Sequence, residues 1–275
     1  MDLDTIAMLR DPTTHAKLRL ASGPEGERLI NVDSGASYPI REGVPAFVSR
    51  ADLTDANQRF TKFYDLFAPV YDAMISGYLW VRRLGNDESF RREYLKDLGV
   101  KDHDRILEIS IGTGRNSRYL PKTCEFFGVD ISWGMIKRCK AAMQEQGLRH
   151  RLFLANGEYL PFEDDVFDAV FHVGGIKFFN DKARAIREMI RVAKPGAKIM
   201  IVDPTEMTMR DVEGTPIAKS FFKGIKDLTT APVDLVPKDM RDVELRDILQ
   251  GRFYCLQFRK PERAGAAADP THAMR

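Results

Sequence analysis

The stretch from Arg105 to Pro204 constrains the fold more than any other part of this chain. Five short runs there read as strands: Arg105–Ile111, Glu125–Ile131, Arg151–Ala155, Phe167–Val173 and Lys198–Pro204. Helical periodicity fills the gaps, with a glycine turn and helix through Leu120, then Gly134–Gln146 and Lys182–Val192. Strands separated by single helices return to one sheet through right-handed crossovers, so the sheet is parallel. Later, Val243–Ile248 and Arg252–Arg259 read as two strands joined at Gln250-Gly251. Such a hairpin gives an otherwise parallel sheet one antiparallel edge strand. The predicted fold class is α/β: a Rossmann-like, mostly parallel sheet with one antiparallel edge strand and a small N-terminal β-rich module.

The flanking regions read differently. Residues 1–49 carry a short helical start, Leu3–Leu9, then alternating segments Lys17–Leu20 and Arg28–Val32, and a closing Ala46-Phe-Val. Two or three such strands must lean on a neighbour to be stable. Residues 50–98 are helical in pattern: Phe60, Phe63, Tyr64 and Phe67 recur at helical spacing, as do Phe90, Tyr94 and Leu98. Residues 99–260 form the main domain, with 205–240 as a Met-rich, basic insertion. Residues 261–275 are Ala- and Pro-rich and are expected to be a disordered tail.

Composition excludes several classes. Net charge is +2, with Lys and Arg spread along the chain, so no DNA partner is expected and RNA is disfavoured. Cys124, Cys139 and Cys255 are odd in number and far apart, which gives neither a disulfide framework nor a four-ligand zinc site. Reduced thiols fit the cytoplasm. The N-terminus is acidic and lacks a signal-peptide core, and no apolar run approaches ~18 residues, so no membrane span or export is expected.

The strongest chemical signal is Ile106-Leu-Glu-Ile-Ser-Ile-Gly-Thr-Gly-Arg-Asn. A strand enters a glycine turn that opens a helix. Gly112 and Gly114 allow a ligand close to the backbone, and the helix start offers unpaired amides. Asp130 ends the next strand about 20 residues on, where a ribose-binding carboxylate sits in a Rossmann crevice. A dinucleotide fingerprint needs a third glycine where this chain has Ser117.

The loop resembles instead the acid-x-Gly-x-Gly-x-Gly turn of class I S-adenosylmethionine-dependent methyltransferases. That resemblance implies a class I methyltransferase sheet and S-adenosylmethionine as cofactor, with no metal. It assigns Glu108 and the loop residues Ser110, Gly112, Gly114 and Asn116 to the methionine end, and Asp130, beside Ile131, to the ribose hydroxyls. Ser110 stands where the family has its first glycine, and a serine fits there if its φ is negative. Ala155-Asn-Gly-Glu-Tyr-Leu-Pro-Phe resembles the family's Gly-Asp-Ala-Glu-x-Leu-Pro-Phe segment. It places Asn156 at the adenine amino group, accepting through its carbonyl, with Gly157 and Glu158 beside it. Phe127-Gly-Val-Asp-Ile-Ser and Arg191-Val-Ala-Lys-Pro-Gly match the family's second-strand and pre-fifth-strand motifs.

Phe63-Tyr-Asp-Leu-Phe-Ala-Pro-Val-Tyr-Asp resembles the entry helix of quinone C-methyltransferases and their small-molecule relatives. The resemblance puts Tyr71 over the methionine part of the cofactor and makes it a catalytic candidate. His172, in Phe171-His-Val-Gly-Gly, is the candidate general base because its ordinary pKa is near neutrality. The plainer alternative is a strand-end histidine lining the cofactor pocket. Gly174 and Gly175 leave room beside it. Met207, Met209, Phe221, Phe222 and Met240 form either an apolar substrate wall or helix core. Lys219, Lys223 and Lys226 form either a solvated helix face or a site for an acidic substrate.

Tyr38-Pro-Ile-Arg-Glu-Gly-Val-Pro-Ala-Phe resembles the end of the zinc-ribbon module of methyltransferase activators. The Cys-Pro-x-Cys knuckle of that module falls where this chain has Asp11-Pro-Thr-Thr-His, so no metal is expected and the module is read as a brace. The combined expectation is S-adenosylmethionine-dependent O- or C-methylation of a small, partly apolar molecule. An rRNA or tRNA base methyltransferase and a non-catalytic methyltransferase-like subunit are the alternatives. A homo-oligomer is compatible with the sequence.

Overall fold

The computed structural model describes residues 1–48, 61, 65, 72–213 and 230–263. Tyr71, Phe60, Phe63, Tyr64, Phe67, Lys219, Phe221, Phe222, Lys223 and Lys226 lie outside the described residues, as does the tail from 264.

The N-terminal region begins with helix α1 (Leu3–Met8), capped by Asp2, and continues into an antiparallel sheet. Its strands are β1 (Leu18–Gly23), β2 (Gly26–Asn31), β3 (Ser37–Arg41) and β4 (Val44–Pro45). Four strands form where two or three are expected from sequence. The additional hairpin turns at Glu42 and Gly43, both left-handed (φ 51° and 78°). A type I′ turn needs that conformation at both positions, and glutamate does not advertise it.

This region shares the core of the large domain. Met8, Leu9, Leu18, Leu29 and Phe47 pack in one cluster with Phe127, Phe153, Phe162 and Phe167. Backbone bonds stitch the two together: Glu163 N–H to Met8 O (2.8 Å), Arg10 N–H to Pro161 O (3.1 Å) and Phe47 N–H to Leu154 O (2.8 Å). The last of these covers an edge that would otherwise offer free backbone groups.

Helices α2 (72–81) and α3 (Asp87–Leu95) lead into the large sheet. Its strands and helices follow as β5 (Arg105–Ile109), β6 (Glu125–Asp130), α4 (Trp133–Glu145), β7 (His150–Leu154), β8 (Phe167–Val173), α5 (Lys182–Val192) and β9 (Ala193–Pro204). Helix α6 (Glu206–Glu213) and the hairpin β10 (Arg241–Ile248) and β11 (Phe253–Arg259) end it. The strand order is β10-β11-β9-β8-β5-β6-β7. β5 to β9 pair in parallel, while β11 runs antiparallel to both β9 and β10 and lies between them. The hairpin therefore supplies the antiparallel strand at this edge, one place in from the rim.

Central strands buried on both faces read as continuous apolar runs rather than alternating ones. In β5, Leu107 and Ile109 join one core cluster and Ile106 the other. The chain proceeds outward from β5 to β7, then returns to β8 and β9 on the other side. Ligands in open α/β sheets bind at the carboxyl ends of the strands flanking such a reversal. After Gly114 the chain forms a short 3-10 helix, Arg115–Tyr119, rather than an α-helix through Leu120, and Pro121 follows it. No described helix is long and apolar enough to cross a membrane.

Candidate functional site

A cavity opens where β5, β6, β8 and β9 end. The loop after β5 forms its floor, with left-handed backbone at Ser110 (φ 56°), Gly112 (57°) and Gly114 (77°). Ser110 corrects the sequence expectation of a negative φ. A non-glycine residue in this region costs on the order of 1–2 kcal/mol. Neighbouring bonds hold the turn: Ile111 N–H to Val129 O (3.0 Å), Gly112 N–H to Asp130 Oδ2 (2.9 Å) and Gly114 N–H to Ile111 O (3.0 Å). Ser110 and Gly112 line the cavity. Gly114 does not; a Cβ there would sit 2.6 Å from Cys139 Sγ, so it serves loop-to-α4 packing.

Asp130, at the end of β6, lines the cavity with Ile131. Its two oxygens accept Gly112 N–H and Ser132 N–H, each at 2.9 Å. Burial pushes its pKa up to about 6, against the pull of those two amides. Glu108 is buried on the same wall. One oxygen accepts from Asn116 Nδ2 at 2.5 Å, while the other has no partner among the described residues. Burial pushes this carboxyl up to about 8, with Asn116 and Arg91 opposing. A buried oxygen without a donor is costly unless a ligand supplies one.

A polar network supports Glu108 from behind. Asn116, itself cavity-lining, accepts from Arg91 Nη1 and Tyr94 Oη, each at 2.6 Å. Arg91 is fixed by Asp87 (2.9 Å) and also reaches the cavity. Sequence reasoning assigned Phe90 and Tyr94 to a packing stripe and passed over Arg91. The available signal was a cation set between two aromatic positions of a buried face.

The entry segment is tied down by its acids. Asp65 accepts Ser132 Oγ–H (2.6 Å) and Gly134 N–H (2.8 Å) at the start of α4. Asp72 accepts Thr113 Oγ1–H (2.7 Å) from the glycine turn. Asp65 and Asp72 of the Phe63–Asp72 motif thus each bond to one of the loops that border the cavity. Neither role was apparent from sequence.

Beyond β7, Asn156 and Gly157 line the cavity. The Asn156 carbonyl already accepts Glu158 N–H at 3.0 Å, leaving one lone pair. A Cβ on Gly157 would meet Ile109 Cγ2 at 2.6 Å and the Phe179 ring at 3.0 Å. Glu158 turns away from the cavity and accepts Asn180 N–H (2.8 Å), pinning the loop after β8.

His172 is fully buried and is not among the cavity-lining residues. Its Nδ1 meets Ile109 O at 3.1 Å, so that nitrogen carries the proton, and burial lowers its pKa. Nε2 has no partner among the described residues. The ring faces Phe179 at 5.4 Å and holds β8 to β5, a placement that does not bring it to substrate. The structure thus gathers Glu108, Ser110, Gly112, Asn116, Asp130, Ile131, Asn156 and Gly157 and leaves Gly114, Glu158 and His172 behind them. Ile75, Met135, Phe178, Phe179 and Phe253 make the remaining wall largely apolar.

These residues fit the group implied by the motifs. The unpartnered Glu108 oxygen and the Arg91 guanidinium suit a zwitterion, Asp130 suits vicinal hydroxyls, and Gly157 leaves space for a flat ring.

Residues 107–201 match a methyltransferase domain family model. The ubiquinone/menaquinone biosynthesis C-methyltransferase UbiE of Geotalea daltonii is 30% identical over 157 residues, covering 55% of this chain and 65% of the relative. The same-named protein of Geobacter sp. (strain M21) is 30% identical over 169 residues, covering 58% and 70%. The (4+2)-cyclase SpnF superposes with a TM-score of 0.59 at 15% identity, covering 74% of this chain and 95% of that one, a likeness of fold alone. The chain spans 60–65% of the length of the curated relatives it matches first.

Proposed function

The chain belongs to the class I S-adenosylmethionine-dependent methyltransferases, and from that premise we propose that it methylates a ring carbon of a small, largely apolar quinol-type molecule. The observation that carries the reading is the pairing of Glu108 and Asp130 across a left-handed glycine turn, with one Glu108 oxygen left for a ligand. When bound, S-adenosylmethionine supplies an electrophilic sulfonium methyl. Glu108 takes the amino group, Asp130 accepts from the ribose hydroxyls, and Asn156 offers its free lone pair to the adenine. The relatives' printed names support carbon as the acceptor and a quinone ring as the class. The RNA-directed alternative is not favoured by them.

The apolar wall of Ile75, Phe178 and Phe253 excludes water and holds the acceptor ring. Alignment and dryness carry most of such a transfer. Tyr71 is the first residue to test for direct contact with the reacting groups. His172 acts in this reading by fixing the end of β8. Residues 1–48 brace the main domain, and Ile75, Phe90 and Arg91 of the segment before it wall the cavity. The three cysteines are free thiols, which supports a cytoplasmic setting. Incubation with methyl-labelled cofactor and a panel of demethylated naphthoquinols and benzoquinols, read by mass spectrometry, tests the proposal. A labelled C-methyl product supports it; label only on oxygen, or none on any acceptor despite tight cofactor binding, overturns it.

A further inference from the structure

Helix α2 divides into two unlike sides. Its inner side is committed: Ile75 lines the cavity, Leu79 is buried, Asp72 accepts from Thr113, and Tyr78 Oη donates to Asp211 on α6 at 3.3 Å. Its outer side exposes Ala73, Met74, Ser76, Gly77, Trp80 and Val81. None of these six is charged, although 30% of the whole chain is. Trp80 is 79% exposed, Val81 67% and Met74 50%. A solvated helix face normally carries its charges outward. Here the order is reversed, and contiguous exposed apolar surface marks an interaction site.

Two basic residues follow this face directly. Arg82 and Arg83 follow Val81 directly, and both are exposed. Arg82 pairs with Asp211, while Arg83 makes no ion pair among the described residues. No acid lies on the exposed side of α2. A tryptophan with aliphatic neighbours and adjoining arginines is the chemistry of a segment lying in a bilayer interface. The indole sits at headgroup depth, and the guanidinium groups meet anionic lipid.

We infer that the outer face of α2, with Arg82 and Arg83 at its end, docks on an anionic lipid surface. This goes beyond the methyl-transfer reading and does not depend on it. One consequence does rest on that reading: with Ile75 at the cavity wall on the opposite side of the same helix, a lipid-soluble acceptor has a short route from bilayer to site.

The test uses the full chain carrying Trp133→Phe, which leaves Trp80 as the one tryptophan of the two. It is mixed with phosphatidylcholine vesicles with and without phosphatidylglycerol. The inference predicts co-sedimentation with the anionic vesicles that weakens with salt. It also predicts a blue shift of Trp80 emission and its quenching by brominated lipid. Trp80→Ser with Val81→Ser should reduce the partition coefficient roughly tenfold or more, the scale of losing two buried apolar side chains. Melting temperature and S-adenosylhomocysteine binding should stay unchanged in that variant. Absence of vesicle binding, or binding that leaves Trp80 unquenched, overturns the inference. So does concentration-dependent self-association that shields Trp80 without lipid, because a second copy would then be the occupant.

Discussion

Asp11 stands where the sequence resemblance would put a metal-binding knuckle, and its removal should expose what holds the N-terminal sheet together. Its carboxylate accepts four bonds: Thr13 N–H and Thr14 N–H at 2.9 Å, Asn31 Nδ2 at 2.7 Å and Tyr38 Oη at 2.8 Å. Burial pushes the carboxyl up, but Asn31, Thr14, Tyr38 and Thr13 together outweigh it and hold the pKa at about 2, below the ordinary 3.8. Because the folded value is depressed, the stabilisation is present above the unfolded pKa and is lost as pH falls through 3.8 toward 2. The difference corresponds to about 2 kcal/mol at neutral pH, of which roughly half is gone by pH 3. Asp11→Ala also takes one acceptor from the buried Asn31 amide, which keeps its bond to Thr14, so the expected loss at pH 7 is about 2–4 kcal/mol. Urea denaturation followed by circular dichroism at pH 7 and pH 3.5 measures it. A deficit below ~0.5 kcal/mol at pH 7 would refute the carboxylate-centred staple, as would a deficit that does not shrink at the lower pH.

Three further outcomes follow from the site. Gly157→Ala drives a Cβ into Ile109 and Phe179; it should cost about 1–3 kcal/mol and lower the melting temperature by several degrees, and an unchanged melt would show that the wall yields. His172→Gln should keep turnover at saturating cofactor within a few-fold, because the ring stands behind the cavity; a 10²-fold loss would restore it as a base. In the proposed reading the raised carboxyls of Glu108, at about 8, and Asp130, at about 6, hold the amino group and the ribose hydroxyls best when ionised. Affinity for S-adenosylhomocysteine should therefore fall progressively as pH drops below about 8, by roughly tenfold or more between pH 7 and pH 5, and calorimetry at pH 5 and 7 giving equal affinities would contradict this.

The sheet was legible in the sequence because buried strands and amphipathic helices alternate there without interruption. Helical periodicity placed α5 at Lys182–Val192, and the structure shows the same span with Asp181 capping its start. What escaped were features set by backbone angles and by distant partners. Ser110 adopts φ 56° in a loop held by Val129 and Asp130, a constraint from the end of the neighbouring strand β6. The Glu42-Gly43 turn hid for a similar reason. Family resemblance named Glu108 and Asn156, and strand-end spacing with the resemblance named Asp130; all three line the cavity. Spacing could not show that Glu158 and His172 point behind the cavity wall, because one residue along a strand or turn reverses a side chain. Arg91 belongs to a helix remote in sequence from the glycine turn, and only the fold brings it to Asn116.

The central claim, that this cavity holds S-adenosylmethionine through Asp130 and Glu108, is tested most directly by titrating S-adenosylhomocysteine into the protein at pH 7 in a calorimeter. The account predicts saturable one-to-one binding. Asp130→Ala, with its fold verified by circular dichroism, should weaken it by ~1.5–3 kcal/mol, or roughly tenfold to a hundredfold. No heat of binding to the parent protein, or an Asp130→Ala variant that binds as tightly as the parent, would contradict it.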